Sequence, residues 1–224
     1  MLYKTHQVTS YTIAGLIYYQ NYAIFRDNST SNWLDKTIYT FNQWIANHVL
    51  HIDWLNQYQR LSVWQGKAFI FGLLLCVVIG ALVPDIDHPN SKLGRHMPKW
   101  FTDNIPHRTF THSLLLYLPI ILLISLFLPK NIAFTYINAL LIGACLHIIE
   151  DYFSVESIHL FYPINGQKRT KYSPFRYHTG KKSEQMILLI MTIGAIIVTI
   201  MWLSDTKIYL ITKETLGELT NLVK

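Results

Sequence analysis

Charge is scarce in this chain of 224 residues: Asp, Glu, Lys and Arg together make up 14%, against about 25% in a typical soluble domain. That deficit argues against an ordinary water-facing surface. Cysteine is nearly missing too. Cys76 and Cys145 each stand alone inside an apolar block, which excludes a disulfide framework or a Cys-based metal motif. Both read as small buried hydrophobes. Dense Lys/Arg runs are absent, so the net charge of +6 supplies no nucleic-acid arm, and no direct nucleic-acid partner is expected. Near the start, Lys4 is the only early basic residue, and Gln20 and Asn21 interrupt the apolar stretch 8–25. No small-residue cleavage site follows, so a cleaved signal peptide is not expected.

What is present is apolar and comes in blocks. Hydrophobic residues make up 51% of the chain, concentrated at 68–83, 114–128, 132–149 and 186–203, with a weaker block at 8–25. A membrane-spanning helix needs about 20 such residues, and two blocks fall slightly short. One short block alone would read equally well as a buried core helix. Four or five in one small chain predict an all-α, polytopic membrane protein with four to five membrane-embedded helices. The chain reads as a single domain, 1–224, with the lipid bilayer as its first partner. A polar insert at 26–67 carries Trp33, Trp44, Trp54 and Trp64, the pattern of helices lying at a membrane interface. His48 and His51 within it are one helical turn apart, but nothing else converges there, and they read as one face of an ordinary amphipathic helix. The tail after Ser204 reads as a short amphipathic helix through Ile208, Ile211, Leu216 and Leu219.

Connections then set geometry. Only Pro129, Lys130 and Asn131 join two of the blocks, which predicts a tight antiparallel hairpin. The segments 84–113 and 150–185 therefore fall on the same side, and His6 joins them if the first block also spans. Those segments are rich in Lys and Arg, including Lys92, Arg95, Arg108 and Lys168. By the positive-inside rule, that face is expected in the cytoplasm.

Three motifs carry the chemistry. Pro84-Asp85-Ile86-Asp87-His88-Pro89 closes one apolar block. Carboxylates and an imidazole are expensive beside a membrane unless something compensates them, and a divalent cation does so. Alone, this motif reads equally well as a solvated turn. His107-Arg108-Thr109-Phe110-Thr111-His112-Ser113 opens the next block; Thr111 is the expected helix N-cap, and Arg108 suits a phosphate or carboxylate. His147-Ile148-Ile149-Glu150-Asp151 ends a third block. His147 and Asp151, four apart, share one helix face. A lone pair of this kind is more often a local hydrogen bond, but three motifs on one face predict a shared metal centre, with enough ligands for two ions.

These motifs resemble the YdjM-like family, described as LexA-binding and inner-membrane-associated, with metal-dependent hydrolysis as its assigned chemistry. The resemblance is carried by Thr5-His6, by 84–89 with Ser91, Gly94 and Arg95, by His107-Arg108 and Phe110 to Ser113, by His147 and Asp151, and later by Pro163, Gly180 and Glu184. It covers about 84–184 well and the first helix loosely. It implies metal ligands at His6, Asp85, Asp87, His88, His112, His147 and Asp151, with Glu184 as a further ligand or general base. A weaker analogy is to zinc-dependent phospholipase C enzymes, which hold a zinc cluster with scattered His and Asp. The insert 26–67 is longer than the family usually has. Glu150, His159 and His178 match no family position and receive no role.

The expected function is metal-dependent hydrolysis of an ester or phosphodiester in a lipid or lipid-linked substrate. Zinc is the first choice of metal, with manganese or iron also matching the donors. Arg95 and Arg108 would hold the anionic group, and Arg108 and Glu184 would serve the chemistry. The competing reading is a non-catalytic membrane regulator that binds a soluble protein through the basic loop 168–182, with any metal structural. A metal transporter fits less well, because the ionisable residues sit at helix ends, away from the midplane.

Overall fold

The computed structural model describes residues 3–26, 63–129, 131–156, 158–164 and 177–204. The expectations for the tryptophan-bearing insert, for His48 and His51, for most of the basic loop and for the tail helix lie outside these residues, apart from the start of the second helix.

The described residues form helices and turns. Their only strand-like pairing is an isolated bridge between Ser154 and Tyr177. The helices are α1 (Tyr3–Arg26), α2 (Val63–Gly80), α3 (Lys99–Asn104), α4 (Leu114–Phe127), α5 (Ile132–Tyr152) and α6 (Lys182–Ser204). Short 3-10 turns at Pro84–Asp87, Gly94–His96 and Phe110–His112 carry the chain between α2 and α4. Among the described residues, three segments are long and apolar enough to cross a membrane: Gln65–Asp87, Ile132–Tyr152 and Lys182–Leu203. α4 is shorter at 14 residues, with Pro119 inside it. α1 has 24 residues, about 36 Å of helix at 1.5 Å per residue, but it is too rich in Thr, Ser and Tyr to qualify by composition.

That polarity faces inward. Thr5, His6, Thr9, Ser10 and Thr12 of α1 are all buried. The Thr12 hydroxyl reaches the Val8 carbonyl at 2.8 Å and the Met191 carbonyl of α6 at 2.9 Å. The hydroxyls of Tyr11 and Thr199 share a 2.9 Å hydrogen bond. Between apolar helices such bonds are the glue that hydrophobicity cannot provide in lipid. α1 packs against both α6 and α2, α2 against α5, and α4 against α5. The α2–α5 contact is close because two glycines permit it. A Cβ on Gly80 would overlap the Leu140 carbonyl, and one on Gly143 would overlap the Val77 carbonyl.

Helix starts are set by local capping. Asn131 caps α5 by accepting the Phe134 N–H at 3.0 Å. For α4, the cap is Ser113, whose hydroxyl accepts the Leu115 N–H at 3.2 Å. The expected cap, Thr111, is instead part of a 3-10 turn, and its hydroxyl donates to Asp87 at 2.6 Å. The carboxylate is the stronger acceptor and lies in the turn packed alongside. The short link before Asn131 gives the expected packing of α4 on α5.

Candidate metal centre

The starts of α1 and α4 meet the ends of α2 and α5 at one point, and polar side chains are buried there. His6 stacks on His147 with ring centroids 3.7 Å apart. The His112 ring is 5.3 Å from that of His147. All three imidazoles are essentially inaccessible to solvent.

Each ring has one nitrogen committed to a neighbour. His6 Nδ1 lies 2.6 Å from Glu150 Oε2, and Ser10 donates to the other Glu150 oxygen at 3.1 Å. His147 Nδ1 lies 2.6 Å from the Ala81 carbonyl, which fixes Nδ1 as the protonated nitrogen. His112 Nδ1 lies 3.2 Å from the Thr111 hydroxyl. In every case the second nitrogen, Nε2, is buried without a hydrogen-bond partner. One orphaned buried imidazole nitrogen is costly, and three set around the same carboxylates call for a ligand.

The carboxylates around that point complete the set. His112 Nε2 is 3.4 Å from Asp85 Oδ1 and 3.6 Å from Asp151 Oδ2. His147 Nε2 is 3.6 Å from the same Asp85 oxygen and 3.7 Å from the same Asp151 oxygen. Tetrahedral ligands with bonds of about 2.1 Å stand about 3.4 Å apart, so these separations suit one cation. The other Asp151 oxygen, Oδ1, is 3.3 Å from His6 Nε2. Asp151 thus presents one oxygen to each side, the geometry of a carboxylate that bridges two positions. The donor set of imidazole and carboxylate suits zinc, manganese or iron. Burial pushes the His112 imidazole pKa down, so the ring is held neutral, as a metal ligand must be.

The remaining expected residues fall around this cage. Asp87 is buried, but its oxygens are already engaged: Oδ1 lies 2.8 Å from His107 Nδ1 and Oδ2 accepts from Thr111. His88 stands at the cage's outer side, 4.7 Å from the His107 ring. Arg108 lies 3.7 Å from Asp151 Oδ2 and 2.7 Å from exposed Glu156. Its backbone φ of 65° is unusual for a bulky residue and is the sort of strain found at functional sites. Glu184 is buried in the first turn of α6 and accepts the Gly180 N–H. The nearby Tyr177 hydroxyl, raised by burial and by Asp151, donates to the Glu150 carbonyl at 3.0 Å. Arg95 lines a cavity of about 440 Å³ that also touches Asp85, His88, His107 and Arg108. His159 and His178 lie in irregular segments outside the helices.

Sequence reasoning passed over two residues. His107 groups with Asp85 and His112 as a further potential ligand set; its place in the motif was visible, but nothing in spacing distinguished it from its neighbours. Glu150 orients His6. Adjacent to Asp151 on a helix, it points about 100° away from it, and only the return of α1 explains what it meets.

The family model described as YdjM inner membrane protein matches residues 1–210. YvsG of Bacillus subtilis (strain 168), an uncharacterized protein, is 39% identical over 121 residues, 52% of this chain and 71% of YvsG. The inner membrane protein YdjM of Escherichia coli (strain K12) is 33% identical over 98 residues, 41% of this chain. The YdjM protein of Shigella flexneri gives the same identity over the same length, and the chain spans half the length of each of these two relatives. No solved structure matches the chain. With a family match over most of its length, this chain belongs to the YdjM inner membrane protein family.

Proposed function

We propose that the protein is a membrane-bound, metal-dependent hydrolase of an ester or phosphodiester in a lipid or lipid-linked substrate. The single observation that carries this reading is the convergence of three orphaned Nε2 atoms on two carboxylates. His6, Asp85, His112, His147 and Asp151 are the residues that would hold one or two divalent ions, zinc first. A bound divalent ion supplies Lewis acidity and a water activated near neutral pH.

The chain's own residues supply the rest. Glu150, the Ala81 carbonyl and Thr111 each fix one imidazole by its Nδ1, which keeps Nε2 aimed inward. Asp87 holds His107 and Thr111 in place and so acts from behind the cage. Arg108, at the cavity wall, binds the substrate's anionic group and offsets charge that develops on it; Arg95 assists from the rim. Glu184, bonded to Gly180, is assigned to fixing the turn before α6 ahead of proton transfer. We place α1 and α4 in the bilayer beside the three long apolar helices and the cage on the cytoplasmic face, where a headgroup would meet it.

The test is turnover of carboxylic-ester, phosphodiester and diphosphate lipids in mixed micelles by detergent-purified protein. Activity that a chelator abolishes and zinc restores, and that His147→Ala eliminates, is the expected result. Metal-loaded protein with no turnover of carboxylic-ester, phosphodiester or diphosphate lipids would sink the hydrolase reading and leave a membrane regulator.

A further inference from the structure

The cage accounts for Asp85 and Arg108 at the wall of the 440 Å³ cavity, but not for the rest of that wall. Lys92 and Arg95 line it as well. Arg108 is held between Asp151 and Glu156, whereas neither Lys92 nor Arg95 has a carboxylate partner among the described residues. Lys92 stands with its Nζ 4.2 Å from the centroid of the Tyr3 ring, a contact that leaves its charge free to act while limiting its rotamers. Arg95 donates from Nε to His96 at 3.2 Å.

The backbone under these two cations is tightly folded. The Ser91 hydroxyl donates to the Asp85 carbonyl at 2.6 Å and accepts the Gly94 N–H at 2.8 Å. A Cβ on Gly94 would overlap the His88 carbonyl. The segment is thereby clamped onto the same turn that supplies Asp85 to the cage.

A phosphodiester carries one negative charge, which Arg108 and the cage already answer. Two more cations at the same cavity, with no carboxylate partner among the described residues, answer a second anionic group. We propose that Lys92 and Arg95 form a second anion subsite, and that the preferred substrate carries two adjacent anionic groups, a diphosphate in place of a single phosphodiester. This rests on the hydrolase reading above and names its substrate class. Hydrolysis there joins a water oxygen to one phosphorus, breaks that phosphorus's bond to the bridging oxygen, and divides the water's two protons between the products. No other reactant is needed.

The experiment is calorimetric titration of detergent-purified full chain, its metal content measured beforehand, with pyrophosphate and orthophosphate as probes. Wild type should bind pyrophosphate at least about tenfold more tightly than orthophosphate, and Lys92→Gln/Arg95→Gln should cut that preference by about tenfold. Metal content should not change, and orthophosphate affinity should fall by less than pyrophosphate affinity. The ratio should also shrink as salt rises, since the added contact is ionic and partly exposed. A preference equal in wild type and variant overturns the subsite, because the metal alone would then explain it; so does equal binding of both probes by wild type. Lys92→Gln alone carries the same test if the double variant does not fold. Metal-free wild type is a separate failure, that of the cage.

Discussion

The end of the bundle where α1, α2, α4 and α5 meet is the inverse of the outer faces of α4 and α6. At the first, His6, His112, His147, Glu150 and Asp151 are buried. At the second, Leu122, Leu126, Phe127, Leu189, Ile193 and Ile200 are all more than half or about half exposed. In water both arrangements would be penalised. In a bilayer the outer faces meet a solvent as apolar as themselves, and helix packing falls to small residues and hydrogen bonds. The polar end persists because its groups satisfy one another and, on the reading above, a cation.

That contrast can be broken most strongly at the cage. Asp151→Ala removes the carboxylate that faces both His6 and the His112/His147 pair, and should abolish tight metal binding, read as metal retained after gel filtration. One layer back, Glu150→Gln leaves the ligands in place but weakens the hold on His6 Nδ1. Metal affinity should fall by about 10–100-fold, the usual effect of losing a group behind a ligand, as measured by competition with a chromogenic chelator. At the α2–α5 contact, Gly143→Val forces two backbones apart and should cost about 1–3 kcal/mol or more, read as a lower thermal midpoint in detergent. On the lipid face the effects should be smallest. Ile193→Ala should shift stability by no more than about 0.5 kcal/mol. Ile193→Arg, by contrast, should impair insertion by about 2.5–3.5 kcal/mol, a pair that separates loss of packing from exposure to lipid.

Much of this was legible in the residues themselves. Lipid-facing helices announce themselves by uninterrupted apolar runs, and α2, α5 and α6 lie where those runs do. The i, i+4 spacing of His147 and Asp151 put both on one face, and the structure has them 3.7 Å apart. What local pattern cannot reveal is a partner brought by another helix. Glu150 gained its meaning only when α1 laid His6 and Ser10 against it. Asp87 looked equivalent to Asp85 in the motif, yet the 3-10 turn aims the two apart, one toward His112 and His147, the other toward His107 and Thr111. Thr111 read as a cap for the same reason: sequence shows a hydroxyl before a helix, not the carboxylate waiting beside it. α1 is the converse case, a helix whose polar residues hid its length until the inward direction of that polarity was seen.

The most direct measurement is elemental analysis of detergent-purified protein by mass spectrometry, wild type beside His147→Ala/Asp151→Ala. About one or two zinc, manganese or iron ions per wild-type chain, lost in the folded variant, is the predicted result. Wild-type protein that holds none after refilling with divalent ions, or a variant that holds as many, would contradict the metal centre.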